Sequence, residues 1–251
     1  LGLGNDYAIF ADARIGEGGR LYAVGDIHGC AEELEALLEF LITKEGVTGD
    51  DLIVFLGDYV DRGNDSKKVV QQLIEFQRLS TRTKFLLGNH EVLFLKFIAG
   101  MEEQEFEHYV SCGGLSTLTS YGLNYEMSTE EKVKIVAPHL KFFHTLELGL
   151  YVDNFLFVHA GIRPTSPLFQ QRLDDVLWIR EDFLGSPTIL GCTVVFGHTP
   201  FREIYYDVPY RIGVDTGLVY GGKLSCLELL SGRYFEIVRN SEKVVTKIIK
   251  R

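Results

Sequence analysis

Asp26 and His28 stand two residues apart between Gly25 and Gly29, directly after the apolar run Leu21-Tyr22-Ala23-Val24. A carboxylate and an imidazole at that spacing can face one divalent cation if the backbone turns sharply, and the flanking glycines permit the turn. The pattern recurs. Leu52-Ile53-Val54-Phe55-Leu56 runs into Gly57-Asp58-Tyr59-Val60-Asp61-Arg62-Gly63, Lys84 to Leu87 into Gly88-Asn89-His90-Glu91, and Phe155-Leu156-Phe157-Val158 into His159-Ala160-Gly161; Gly197-His198-Thr199 ends another such run. Each run reads as a buried strand, so the polar residues converge at strand ends.

Asp58 has two carboxylate oxygens and can bridge two ions. Asn89, His159 and His198 then offer neutral donors to the second ion, the amide oxygen of Asn89 being acceptable to a divalent cation. With so few carboxylates the ion pair keeps a high positive charge, for which a phosphate ester is the natural guest. Taken singly, each residue has an ordinary explanation as a turn Asp or Asn, or as a packed His with a satisfied hydrogen bond. Jointly they do not. Four of the seven histidines, His28, His90, His159 and His198, follow apolar runs directly, whereas His108, His139 and His144 lie in helical sequence and read as structural.

The elements that must position these residues follow from periodicity. From Leu21 to Leu87 the order is strand, helix from about Ala31, strand, helix from about Ser66, strand, a βαβαβ unit with parallel strands. The first helix stacks Leu34, Leu37, Leu38 and Leu41, with Glu32, Glu33, Glu35 and Glu39 largely off that stripe; the second buries Val69, Val70, Leu73 and Ile74 after cap candidates in Asn64-Asp65-Ser66. Residues 91–146 carry no strand signal and predict a mostly helical insert, with a capping box at Ser128 to Glu131. Glu147 to Val152 and Phe155 to Val158 flank Asp153-Asn154 as a hairpin. The runs Ile212 to Val214, Leu224 to Leu229 and Tyr234 to Val238 suggest an antiparallel meander and a second, mixed sheet. No repeat or linker divides the chain, so a single α/β domain over 1–251 is expected.

These motifs, spanning residues 25 to 199, resemble the calcineurin-like metallophosphoesterases, in particular the phosphoprotein phosphatase family and its bacterial and bacteriophage serine/threonine phosphatases. The resemblance implies a four-layer α/β/β/α sandwich with two mixed sheets. It implies two divalent metal ions, usually manganese, with iron or zinc also found. Asp26, His28 and Asp58 hold one ion, and Asp58, Asn89, His159 and His198 the other. It assigns His90 as general acid oriented by Asp61, and Arg62 and Arg180 as ligands of the phosphate oxygens. Arg180 rests on Trp178-Ile179-Arg180, which is similar to a Trp-Asn-Arg segment of the phage-type enzymes. The implied activity is hydrolysis of phosphoserine and phosphothreonine monoesters in a protein or peptide, by direct attack of hydroxide activated on the metal pair.

Related symmetric dinucleoside polyphosphate hydrolases share this scaffold, typically lack the acid of Asp-Arg-Gly and carry Asp where Glu91 stands. This chain has both Asp61 and Glu91, which favours monoester cleavage. An inactive phosphoprotein-binding scaffold would be expected to lose a ligand or the acid, and neither is missing. The stretch Cys112 to Gly122 resembles a Gly-rich segment of bacterial members; it reads as a loop between helices, although its glycines could also let a helix or a ligand approach closely, and it is assigned no catalytic role.

A net charge of −10 argues against a nucleic-acid partner, since counterion release needs a basic surface. Cys30, Cys112, Cys192 and Cys226 show no zinc-type spacing and read as reduced. No run approaches 18 apolar residues and the first thirty residues lack a signal-peptide core, so a cytoplasmic protein without stable membrane association is expected. The basic, apolar stretch from Lys243 to Arg251 reads as a final strand or a frayed terminal segment.

Overall fold

The computed structural model describes residues 7–79, 82–186 and 191–249. After a two-residue strand, β1 (Ala11–Asp12), the βαβαβ unit consists of β2 (Leu21–Val24), α1 (Ala31–Thr43), β3 (Leu52–Phe55), α2 (Ser66–Gln77) and β4 (Arg82–Phe85). The insert is four helices: α3 (Asn89–Ala99), α4 (Glu103–Ser111), α5 (Gly114–Tyr121) and α6 (Thr129–His144). There follow the hairpin β5 (Gly149–Val152) and β6 (Phe155–Val158), short helices α7 (Leu173–Trp178) and α8 (Glu181–Leu184), and β7 (Thr193–Phe196). The chain closes with β8 (Tyr205–Asp207), β9 (Arg211–Gly213), β10 (Lys223–Glu228), β11 (Arg233–Val238) and β12 (Val244–Ile248).

Two mixed six-stranded sheets result, in the orders β12-β11-β10-β2-β3-β4 and β1-β5-β6-β7-β9-β8. Every residue of β2 and β3 is buried, because each face of their sheet is covered. The period of two divides them: Tyr22, Val24, Ile53 and Phe55 pack under α1, α2 and the insert, while Leu21, Ala23, Leu52 and Val54 meet Leu150, Val152, Phe157 and Val195 of the second sheet. On the far side of that sheet Leu156, Val158, Val194 and Phe196 pack against Val176, Leu177 and Phe183 of α7 and α8. The layers are therefore helix, sheet, sheet, helix, as expected. Among the described residues no helix is long and apolar enough to cross a membrane.

Four local expectations are corrected. The third strand ends at Phe85, because Leu86 leaves the ladder to bridge Glu147. Glu33 is fully buried, its carboxylate taking the Arg239 guanidinium and the N–H of Asn240. On α2, Phe76 is buried and Ile74 only half-buried, and neither Asp65 nor Ser66 caps the helix by its side chain. The presumed meander is split: β9 lies parallel to β7 in the second sheet, and only β10 to β12 run antiparallel beside β2 in the first. The capping box holds, with Ser128 Oγ accepting the N–H of Glu131 and the Glu131 carboxylate that of Ser128. The last strand is β12, and Lys250 and Arg251 lie outside the described residues.

Candidate active site

The carboxyl ends of β2, β3, β4, β6 and β7 open onto one place, and the backbone leaves them sharply. Among the described residues seven non-glycines have positive φ, and five are here: His28 (47°), Asp58 (52°), Asp61 (70°), Arg62 (68°) and His198 (60°). Such conformations cost on the order of 1 kcal/mol or more each and persist where surrounding contacts dictate them. Glu91, on the first turn of α3, supplies such contacts for the Asp58 loop. Its fully buried carboxylate accepts the N–H groups of Asp58 (2.9 Å), Tyr59 (2.7 Å), Val60 (3.2 Å) and Gly88 (3.0 Å). Burial, reinforced by Asp58, pushes its carboxyl up to about 7. Glu91 thus faces the loop backbone, and any bearing it has on substrate runs through that loop. Glu91→Ala, which orphans four buried donors, is expected to cost at least about 3 kcal/mol in urea unfolding; a loss under about 1 kcal/mol would show the loop to be self-supporting. Glycine is required where carboxylates pass: a Cβ on Gly88 would lie 2.2 Å from Asp58 Oδ1, and one on Gly197 2.3 Å from Asp26 Oδ1.

Asp58 is the centre. His28 Nε2 lies 3.5 Å and His90 Nε2 4.0 Å from its Oδ2, while His159 Nε2 lies 3.4 Å from its Oδ1. Two groups with metal-ligand spacing share it: His28, Asp58 and His90, and Asp58, His159 and His198. Asn89 Oδ1 is 3.0 Å from His159 Nε2, in the second group's neighbourhood. Asp26 stands beside them, both its oxygens receiving the backbone N–H of His198, at 3.2 and 3.0 Å. The Nδ1 atoms of His28 and His159 each lie 2.8 Å from a carbonyl, of Val60 and Leu56, so in the neutral rings they carry the proton and Nε2 is the nitrogen left to ligate.

The charges are crowded. Burial, with Asp215 and Asp58 adding to it, pushes Asp26 well above the usual carboxylate range, and burial helped by Asp58 pushes Asp215 up to about 6. Asp58 moves the other way: burial would raise it, but His159 and His90 hold it well below the usual range. Burial opposes charge on His159, yet Asp58 outweighs it and the imidazole rises to about 9. His198 is pushed down to about 2 by burial and by His159, and its Nε2 is buried without a hydrogen-bond partner. An orphaned imidazole nitrogen beside compressed carboxylates, with only oxygen and nitrogen donors, fits divalent cations.

The calcineurin-like phosphoesterase family matches residues 19–228. This chain belongs to that family. The chain is 27% identical over 246 residues to the asymmetrical bis(5'-nucleosyl)-tetraphosphatase PrpE of Oceanobacillus iheyensis, covering 89% of this chain and 94% of that protein. It is also 27% identical over 221 residues to serine/threonine-protein phosphatase 2 of Salmonella typhimurium, covering 83% and 92%. A crystal structure presented as a candidate diadenosine tetraphosphatase superposes with a TM-score of 0.65 at 26% identity, covering 93% of this chain and 100% of that one. The calcineurin-like phosphoesterase fold and a phosphoester hydrolase are thereby established.

The remaining expected residues of this phosphoesterase lie around the same cleft. His90 Nδ1–H donates to Asp61 Oδ2 at 2.7 Å, and both side chains are buried. The Arg62 guanidinium rests against His28 Nε2 and over the Tyr220 ring, 5.4 Å from its centroid. Arg180, half-buried at the start of α8, bears electrostatically on His198, whose ring meets the edge of Trp178 at 6.2 Å. Asp215 was missed, although it also follows an apolar run, Ile212 to Val214; its carboxylate accepts the N–H of Gly217 at 2.9 Å and crowds Asp26. The Gly-rich segment is helical from Gly114, and the carbonyl of Gly113 accepts the N–H of Arg62 at 3.0 Å.

Proposed function

We propose that this phosphoesterase hydrolyses phosphoserine and phosphothreonine monoesters in a protein or peptide, using two divalent cations, manganese foremost with iron or zinc acceptable. Asp26, His28 and Asp58 would hold one cation, and Asp58, Asn89, His159 and His198 the other. Bound there, the pair supplies Lewis acidity and lowers the pKa of a water. Arg62, beside His28, and Arg180, which bears on His198, would offer planar donor forks suited to phosphoryl oxygens. Asp61 fixes His90 in the tautomer that keeps Nε2 toward the cleft, and His90 delivers a proton to the departing oxygen.

The observation that carries this reading is the buried Asp61–His90 pair at 2.7 Å. A serine alkoxide is a poor leaving group and needs a proton in the transition state, worth about 10² to 10⁴ in rate. A nucleotide leaving through its phosphate is acidic and needs none. The names of the relatives favour a second reading, cleavage of dinucleoside tetraphosphates on the same site. Kinetics of the manganese-loaded protein on a phosphoserine peptide and a dinucleoside tetraphosphate, with products resolved by liquid chromatography, decide between them. We expect kcat/KM to favour the peptide by at least about tenfold. Turnover of the dinucleotide alone transfers the assignment to the second reading, and turnover of neither removes both.

A further inference from the structure

The helical insert sends one side chain into the acid pair. Tyr109, on α4, is completely buried, and its hydroxyl donates to Asp61 Oδ1 at 2.9 Å while Asp61 Oδ2 accepts from His90 Nδ1 at 2.7 Å. Burial and the adjacent Asp61 push the phenol well above its ordinary value, so it keeps its proton and acts as donor. The backbone N–H of Asp61 is shared between Thr117 Oγ1 (2.7 Å) and Ser66 Oγ (3.1 Å), hydroxyls that lie 2.8 Å from each other. Here is where Ser66 spends its side chain in place of capping α2. Two of the three glycines of the Gly-rich segment, Gly113 and Gly114, make room for neighbouring side chains. A Cβ on Gly113 would lie 2.7 Å from Arg62 Cγ, and one on Gly114 would lie 2.4 Å from Cε2 and Cζ of Tyr109.

We propose that Tyr109 is a positioning residue for the general acid: its hydroxyl pins one oxygen of Asp61, so that the other holds His90 with Nε2 facing the cleft. The inference rests on the role given to His90 above. Packing alone does not require the hydroxyl, because Phe fills the same space against Gly114. A carboxylate held at one oxygen only can swing about its last torsion, whereas the chain Tyr109–Asp61–His90 satisfies every partner in one arrangement.

Tyr109→Phe keeps the ring in place and removes only the hydroxyl. In the manganese-loaded protein kcat on a phosphoserine peptide is expected to fall about tenfold, while kcat on p-nitrophenyl phosphate, whose leaving phenolate needs little protonation, stays within about twofold, with KM and metal content unchanged. In an Asp61→Asn background the same substitution should add no further loss on the peptide. Unchanged kcat on the peptide, equal losses on both substrates, or full additivity with Asp61→Asn overturns the proposal. A second arm needs no turnover. In metal-free protein the exchange-protected Nδ1–H proton of His90, assigned by its absence in His90→Asn, should shift or broaden in Tyr109→Phe; an unmoved resonance overturns the proposal. If the wild type turns over no phosphate ester, the proposed function fails by itself, and the resonance still reports whether Tyr109 positions His90.

Discussion

Asp58→Asn is expected to strip the site of its cations. Asp58 is the residue whose two oxygens face both donor groups, Oδ2 toward His28 and His90 and Oδ1 toward His159. It is also the carboxylate that the surroundings keep charged: His159 and His90 hold it well below the usual range, while Asp26 and Asp215 are pushed up. An amide has nearly the same shape but brings one oxygen and no charge, so one group loses its shared ligand and both lose electrostatic attraction. The loss of affinity should exceed the roughly 10- to 100-fold that follows when a ligand merely loses its own hydrogen-bond partner. Elemental analysis after equilibration at limiting manganese measures it, alongside wild-type protein. Full occupancy in the variant would remove Asp58 from its bridging position.

The strand-end residues were legible because each carries a local signature, an apolar run broken by Gly and then by Asp, Asn or His. The unbroken apolar runs Leu21–Val24 and Leu52–Phe55 say that the strands are buried on both faces, and the fold follows from what must cover them. What stayed hidden depends on partners distant in sequence. Periodicity cannot say which sheet a run joins, so Ile212 to Val214 was grouped with β10, and the Asp215 that ends it was passed over. Glu33 read only as a residue off the leucine stripe, because its partner, Arg239, lies at the other end of the chain. Ser66 looked like a cap because nothing local announces Thr117, 51 residues away. Tyr109 had no signature, since an aromatic on a helix reads as packing until the position of Asp61, 48 residues earlier, is known.

His90→Asn is expected to cut kcat on a phosphoserine peptide at least about a hundredfold while leaving both cations in place. A hundredfold corresponds to about 2.7 kcal/mol of transition-state stabilisation, within the range of a lost general acid. Spacing alone permits a different role, because His90 Nε2 lies 4.0 Å from Asp58 Oδ2 and groups with His28 as a third donor. Three features favour the acid. Its Nδ1–H is held at 2.7 Å by a buried carboxylate, which fixes the ring's orientation and leaves Nε2 as the atom that faces the cleft. Its backbone N–H already anchors Asp58 Oδ1 at 3.1 Å, a bond that Asn preserves. Asp26 remains beside the site as an alternative donor, with both oxygens on one backbone N–H that a cation could replace. Metal analysis and kinetics on one preparation therefore separate the roles. An acid predicts full metal with lost turnover that recovers on aryl phosphates; a ligand predicts metal and turnover falling together, whatever the leaving group. Near wild-type kcat on the phosphoserine peptide would exclude the acid role outright.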